Sequence, residues 1–253
     1  MVNWISPTPS GTYNLRAIKE WLAASSTIRL ERIWILHPIP RLLSLDGLEL
    51  QQQLTGNDQL RHEMCATIFR RLGHMDKLFS KDSIGMLWRK FLEPDFAWHI
   101  PATLPDGWVL YSFDMLKRRI SVLDPVVGPF GFSNRRVNMH TFVSTLLHNT
   151  LFRCLQCLFE SWPFSSSEWT RDFLMIMVEK IDKHDHDICT TFFAWNFDGE
   201  KLHMATTKDN LETHKNLMLY EVMRLQGNES LIPSDAIEAI KGSFVALGNL
   251  GYI

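Results

Sequence analysis

The sequence predicts an α+β fold in which a central mixed sheet is flanked by helices. Two neighbouring segments, 107–114 and 119–124, alternate apolar and polar residues on either side of a charged turn, a pattern typical of paired strands. Residues 137–160 instead repeat apolar side chains at helical spacing. A hydrophobic content of 45% over 253 residues indicates a folded protein with one sizeable core, or at most two small ones.

The other elements follow from the same signals. The chain lacks internal repeats and low-complexity linkers, which predicts a single domain over residues 1–253, with a tail at 241–253. The predicted helices are 15–22, 48–54 (starting at Asp46), 57–79, 137–160, 211–225 and 235–240. The predicted strands are 28–35, 94–101, 107–114, 119–124 and 173–178. Because residues 173–178 are apolar throughout, we expect that strand in the middle of the sheet, covered on both faces.

The composition argues against several function classes. The formal net charge is −2, and the basic clusters Arg70–Arg71, Lys117–Arg119 and Arg135–Arg136 are short, so we interpret them as solvated faces and expect no nucleic-acid partner. No run of about eighteen apolar residues exists, which predicts no membrane span. Nothing in the sequence predicts a cofactor. Four cysteines without a secretory signal indicate free thiols in a reducing compartment, and we expect the nucleus or the cytoplasm.

The first 26 residues leave two interpretations open. Residues 1–19 contain no acidic side chain, and segment 15–22 is amphipathic, a composition typical of a mitochondrial presequence. The same segment fits the opening helix of the domain, which is the interpretation we favour. A mitochondrial localisation is therefore the alternative.

Two further patterns contain possible metal ligands. Cys154 and Cys157 form a C-x-x-C pair in a helical apolar run, without the second pair that a zinc site needs, so we predict that they pack in the core. The segment His184–Asp187 offers four ligand types in a row, but adjacent residues seldom converge on one ion. We predict no metal at either place.

Two blocks of the sequence resemble the SUMO-deconjugating (ubiquitin-like-protein) cysteine proteases. Residues 107–124 are similar to the strand pair that carries the family's His-Trp and Asp. Residues 184–199 are similar to the Asp-Cys-Gly of plant members, which a hydrophobic helix and an aromatic-Asp-Gly follow. The run Arg70-Arg71-Leu72-Gly73-His74-Met75-Asp76 is similar to a helix of the transposon-borne plant branch. The resemblance spans roughly residues 12–230, which it marks as the core of the domain. It implies a cysteine-protease-like fold of plant, transposon-associated origin.

The resemblance also places the family's catalytic positions on this chain. The catalytic His falls on Gly107, the Asp on Asp124, the nucleophile on His186 and the oxyanion-stabilising Gln on Lys180. A cysteine protease needs a thiolate, a neighbouring imidazole with a carboxylate to orient it, and a donor for the oxyanion. Glycine at 107 takes no proton, and the imidazole at 186 forms no stable acyl-enzyme. The resemblance therefore implies a pseudoprotease with a degenerate triad, not an enzyme.

The expected function is binding to another protein, whose identity the sequence does not give. Trp108 flanks the channel for the ubiquitin-like tail in active relatives, so we predict it either as a partner-binding residue or as a core residue. One alternative is a cysteine protease with relocated chemistry at Cys189, one helical turn past His186, or at the segment 184–187. His99, in the apolar run before Gly107, is interpreted as structural. A further alternative is a selfish or regulatory factor that acts on an organelle through its N-terminal segment.

Overall fold

The computed structural model describes residues 19–39, 41–56, 58–79, 99–158 and 165–236, with only the backbone described at 76–79 and 158. The α+β fold class is confirmed, since a mixed four-stranded sheet is flanked by helices. The helices are α1 (Thr27–Leu30), α2 (Gly47–Leu54), α3 (His62–Phe79), α4 (Asn134–Leu158), α5 (His186–Asn196) and α6 (Lys208–Met223), with a 3₁₀ turn at Lys183–Asp185. The strands are β1 (Ile33–His37), β2 (Leu43–Asp46), β3 (His99–Leu104), β4 (Gly107–Asp114), β5 (Arg119–Leu123) and β6 (Thr170–Phe173).

The chain divides into two compact units. The first comprises Met1–Arg71 and Glu212–Ile253, and the second comprises Leu72–Leu211. The first unit contains the antiparallel pair β1 and β2, and the second contains the four-stranded sheet. Two compact units are compatible with one domain, so the extent predicted for that domain, residues 1–253, stays a prediction.

The sheet of the second unit has the order β3-β4-β5-β6. Strands β3, β4 and β5 are antiparallel, and β6 runs parallel to β5. The predicted paired strands at 107–114 and 119–124 are confirmed as β4 and β5. The predicted helix at 137–160 is confirmed as α4, which begins three residues earlier than expected, at Asn134.

The two faces of this sheet are covered by different helices. Val109, Tyr111 and Phe113 alternate along β4 and are buried in one cluster with Leu151 and Phe152 of α4. The residues between them on β4 point to the opposite face, because side chains alternate along a strand. There α5 packs against β4, and Thr190 Oγ1 of that helix donates a hydrogen bond to the carbonyl of Trp108 at 2.8 Å. The start of β4 is thereby held beside the start of α5.

The strand predicted at 173–178 is wrong. β6 covers Thr170–Phe173 and lies at the edge of the sheet, and the side chains of Met175 and Val178 are 68% and 59% exposed. The ladder ends where the N–H of Leu174 donates to Val122 O at 3.1 Å, just before the end of β5. A run of apolar letters does not distinguish a buried strand from an exposed extended segment, since periodicity is the same for both.

The strand predicted at 28–35 is also wrong, because α1 occupies its first half and β1 begins at Ile33. Ile28 lies in α1 with its side chain 78% exposed. The helix predicted at 48–54 is confirmed as α2. Its N-terminus carries a capping box, in which Asp46 accepts from the Glu49 N–H at 2.7 Å and Glu49 accepts from the Asp46 N–H at 3.1 Å.

Arg70 and Arg71 are buried, so the interpretation of this cluster as a solvated face is wrong. Arg70 Nη1 lies 2.7 Å from His37 Nδ1, and its Nη2 donates to the carbonyl of Arg41 at 3.2 Å. Arg71 pairs with Glu221 in the same unit. A guanidinium is tolerated in an interior only where its donors find acceptors, and here both arginines find them.

Several predictions fall outside the described residues. These are residues 1–18 of the N-terminal segment, strand residues 94–98, helix residues 57, 159–160 and 237–240, and the tail at 241–253. Residues 19–24 are helical, as are residues 234–236. Among the helices of the described part of the chain, none combines the length and apolarity needed to cross a bilayer.

Candidate functional site

The structure brings Gly107 and His186 together. Gly107 is the first residue of β4, and His186 is the first residue of α5, which packs on that strand. A Cβ atom built on Gly107 would lie 3.8 Å from His186 Cβ and 3.0 Å from Asp187 Oδ1. The position to which the resemblance assigns the catalytic base therefore faces the position to which it assigns the nucleophile.

The space beside Gly107 is taken by the carboxylate of Asp187. This side chain is buried, and its Oδ1 accepts the backbone N–H of Trp108 at 3.2 Å. Gly107 has a φ of +130°, which side chains with a Cβ rarely adopt. Both the neighbouring carboxylate and the backbone conformation thus oppose a larger residue at 107.

Asp124 follows the last residue of β5, on the strand next to β4, but its carboxylate is engaged elsewhere. Its side chain is fully buried, and Oδ1 accepts the N–H of Val126 at 2.9 Å. Oδ2 accepts from Arg136 Nε and from His140 Nε2, the latter at 2.8 Å. Arg136 also pairs with Asp106 Oδ2 at 2.9 Å on the surface. Asp124 anchors the start of α4 in the sheet.

A buried chain of hydrogen bonds extends from Asp124 to Tyr111. With the carboxylate as acceptor, His140 Nε2 donates, and His140 Nδ1 can accept the Tyr111 hydroxyl proton at 2.8 Å. Burial on its own would raise the pKa of Asp124, but the hydrogen bonds from His140 and Arg136 together outweigh it and hold this pKa below the ordinary 3.8. Burial raises the pKa of Tyr111, so its hydroxyl keeps its proton.

Trp108 and Cys189 are both interior residues. Trp108 is 5% exposed in β4, so of its two predicted roles the structure gives the core residue and not an exposed anchor for a partner. Cys189 has no exposed surface, and burial, with smaller contributions from Asp185 and Asp124, raises the pKa of its thiol well above the ordinary value. A thiol held in its neutral form is a poor nucleophile, which disfavours relocated chemistry at Cys189.

Lys180 and His99 make no contribution to this arrangement. Lys180, at the expected oxyanion position, is exposed in the loop after β6. His99 opens β3 and is buried opposite Ser112.

Metal-ligating side chains cluster at the 3₁₀ turn. Ligand atoms of Asp182, His184 and Asp185 lie within 4.8 Å of one another, and within the described residues no other group of three meets this criterion. The cluster is largely exposed, and Lys208 Nζ already lies 3.1 Å from Asp182 Oδ2. Of the four consecutive residues 184–187, His186 and Asp187 are not part of this cluster.

Sequence reasoning missed Arg136, His140 and Asp187. His140 lies one turn after Arg136 on α4, and its own position on the buried stripe of that helix was a usable signal. Arg136 was interpreted as part of a solvated cluster, which is wrong, since its side chain is only 14% exposed. Nothing in the letters at 187 indicates that this carboxylate fills the space beside Gly107.

Comparison with models of known protein families gave no match, and comparison with curated proteins gave none either.

Proposed function

We propose that this chain is a catalytically inactive relative of the SUMO-deconjugating cysteine proteases and that it acts by binding another protein. The observation that supports this most strongly is the contact between Gly107 and Asp187. Where the resemblance calls for an imidazole, a buried carboxylate lies 3.0 Å from the position of a Cβ. A plant, transposon-associated origin and a nuclear or cytoplasmic location belong to the same proposal.

The residues at the assigned catalytic positions do not favour the chemistry of a cysteine protease. General-base catalysis requires a titratable group within hydrogen-bond reach of the nucleophile. His186 Nε2 lies 3.3 Å from the carbonyl oxygen of Ile181, and both oxygens of Asp124 already accept hydrogen bonds. The one thiol of α5, Cys189, is buried, and its burial raises the pKa of this thiol well above the ordinary value. Binding is the activity that such a scaffold retains.

We expect no turnover of SUMO precursors or SUMO conjugates. The measurement is release of the C-terminal extension from a ubiquitin-like precursor, followed by gel and by mass spectrometry, with an active SUMO protease as the positive control. The matched variant is Cys189→Ser, which changes only one buried atom. Turnover by the wild-type chain that disappears in Cys189→Ser would overturn the proposal, because it would show working chemistry at that thiol.

The binding surface that we propose is centred on Phe130. Phe130 takes the place of Trp108 as the residue expected to contact the partner. Phe130 is fully exposed, and the side chain of Met175 is 68% exposed. Met175 borders the same loop, since its Sδ lies 3.3 Å from a Cβ built on Gly131, the residue after Phe130. Phe132 in the same loop packs edge-on against Phe173 with the ring centroids 5.4 Å apart, which ties the loop to the end of β6. Exposed aromatic and methionine side chains on a fixed loop are typical of interface anchors.

Phe130→Asp is expected to weaken binding to the partner by at least about 2 kcal/mol, roughly thirtyfold in Kd, since aromatic anchors dominate interface energetics. The first probes are SUMO and other ubiquitin-like proteins, measured by calorimetry. The matched control is Leu116→Asp, which replaces a side chain that is 85% exposed at the β4–β5 turn. Equal losses in both variants, or a loss in the control alone, would remove Phe130 from the proposed interface.

A further inference from the structure

The four cysteines fall into two classes of exposure. Cys65 and Cys189 are buried, whereas Cys154 is half-buried and Cys157 is exposed. The prediction that the C-x-x-C pair packs in the core is therefore wrong for Cys157. Free cysteine is among the residues most often found in protein interiors, so two accessible thiols three residues apart are unusual.

The helix places the two thiols on one face. Both cysteines lie in the last turns of α4, and residues three apart on a helix are neighbours, with Cβ atoms about 5–6 Å apart. The buried stripe of the same turns consists of Leu151, Phe152 and Leu155, which pack on the sheet. Cys154 and Cys157 are not part of that stripe, since Cys157 is exposed and Cys154 is half-buried.

This spacing favours a bridging ion over a disulfide. A disulfide brings the Cβ atoms to about 3.5–4.5 Å, closer than an unbroken helix provides. An ion with metal–sulfur bonds of about 2.3 Å spans two sulfurs about 4 Å apart, and side-chain rotation can reach that separation without bending the backbone. The pair is therefore arranged to share an ion rather than to join covalently.

The number and the chemical type of the ligands at this cysteine pair indicate which class of ion it would bind. Within the described residues, neither cysteine belongs to a group of three or more His, Cys, Asp or Glu side chains able to hold an ion together. Zinc sites use four ligands, so the pair alone does not complete one. Thiolates select soft cations such as Cu(I). The sequence led us to expect no metal at this pair, but the exposure of Cys157 changes that expectation. We propose that Cys154 and Cys157 together bind one soft cation of the Cu(I) class as a dithiolate. Each thiol releases its proton to solvent on binding, and no electron is transferred.

The test is an anaerobic titration of the reduced full-length chain with Cu(I) against a chromophoric Cu(I) chelator. We expect the wild-type chain to withdraw one Cu(I) per molecule, and we expect Cys154→Ser and Cys157→Ser each to lower the affinity at least tenfold. The matched control is Cys65→Ala, which removes a buried thiol in the other unit and should leave the stoichiometry unchanged. Circular dichroism checks that every variant is folded.

Three results would overturn the assignment. These are a wild-type chain that leaves all Cu(I) on the chelator, single serine variants that bind one ion with the affinity of the wild-type chain, and a loss of binding in Cys65→Ala that equals the loss in the surface variants. The readout is metal binding alone, so it does not depend on the proposed protein partner or on protease activity. Failure of this assignment and failure of the proposed function are therefore distinguishable.

Discussion

Asp124→Ala is expected to destabilise the protein by about 3–5 kcal/mol, because it removes the buried carboxylate of an ion pair and leaves three donors without their acceptor. In the wild-type chain the carboxylate accepts from Arg136 Nε, from His140 Nε2 and from the N–H of Val126. After the substitution, the buried imidazole of His140 loses its acceptor and Arg136 keeps only its surface partner, Asp106. Urea unfolding followed by far-ultraviolet circular dichroism measures the effect.

The matched control is Asp106→Ala, which removes the other carboxylate that pairs with Arg136. Asp106 is 58% exposed, so we expect a change below about 1 kcal/mol. The pKa of Asp124 is lowered on folding, so its contribution is present above the ordinary pKa of 3.8 and is lost as the pH falls through the folded-state value. The wild-type chain should therefore lose this stability below a pH of about 4. A loss under about 1 kcal/mol in Asp124→Ala would show that the carboxylate is not part of a buried cluster.

Asp124 is the one assigned catalytic position at which this chain has the residue type of the family, and a large loss of stability would give it a structural role. An aspartate that only remained from a lost triad could be replaced at little cost. The structure instead gives Asp124 an architectural role, because it connects the end of β5 to the first two turns of α4 through Arg136 and His140. Retention of the carboxylate is thus explained by packing and needs no residual catalysis.

The sequence allowed the centre of the sheet to be predicted because its signals are local. Strands β4 and β5 are short apolar runs on either side of a charged turn, and Asp46 with Glu49 three residues later is a typical start of a helix. Residues 173–178 are equally apolar in sequence, yet Met175 and Val178 are exposed. Which apolar run is covered depends on the neighbouring strand and helix, and these are distant in sequence.

The same distinction separates the two parts of the candidate site. The resemblance assigned Gly107 and His186 to the base and nucleophile positions of one active site, and the structure places these residues together. The roles of Asp187 and Arg136 depend on distances across the fold that no local pattern encodes. The burial of a charged residue is especially hard to predict from sequence. An arginine in a short basic cluster has the same sequence neighbours whether it contacts solvent or a buried carboxylate.

Arg71 belongs to a short basic cluster in the sequence, yet it is buried against a carboxylate. Substitution of that carboxylate, Glu221, is the second change that we expect to destabilise the protein strongly. Arg71 Nε and Nη2 donate to Glu221 Oε2 at 2.8 and 2.6 Å, and the two side chains are 8% and 7% exposed. Glu221→Ala leaves a guanidinium buried without its counter-charge, which we expect to cost about 3–5 kcal/mol in the free energy of unfolding. Asp182→Ala is the matched control, because it breaks an exposed pair with Lys208 and should cost less than about 1 kcal/mol.

A second variant separates the cost of a stranded charge from the value of the pair itself. The double variant Arg71→Met with Glu221→Leu replaces both charges by apolar side chains, and such exchanges are often neutral or stabilising, because neither ion then has to leave water. We therefore expect the double variant to unfold within about 1–2 kcal/mol of the wild-type chain, and to be more stable than Glu221→Ala alone. The measurement is urea unfolding of all three proteins at one pH. If the double variant is as unstable as the single one, the loss comes from side-chain packing around α6, and the burial of an unpaired charge is not its cause.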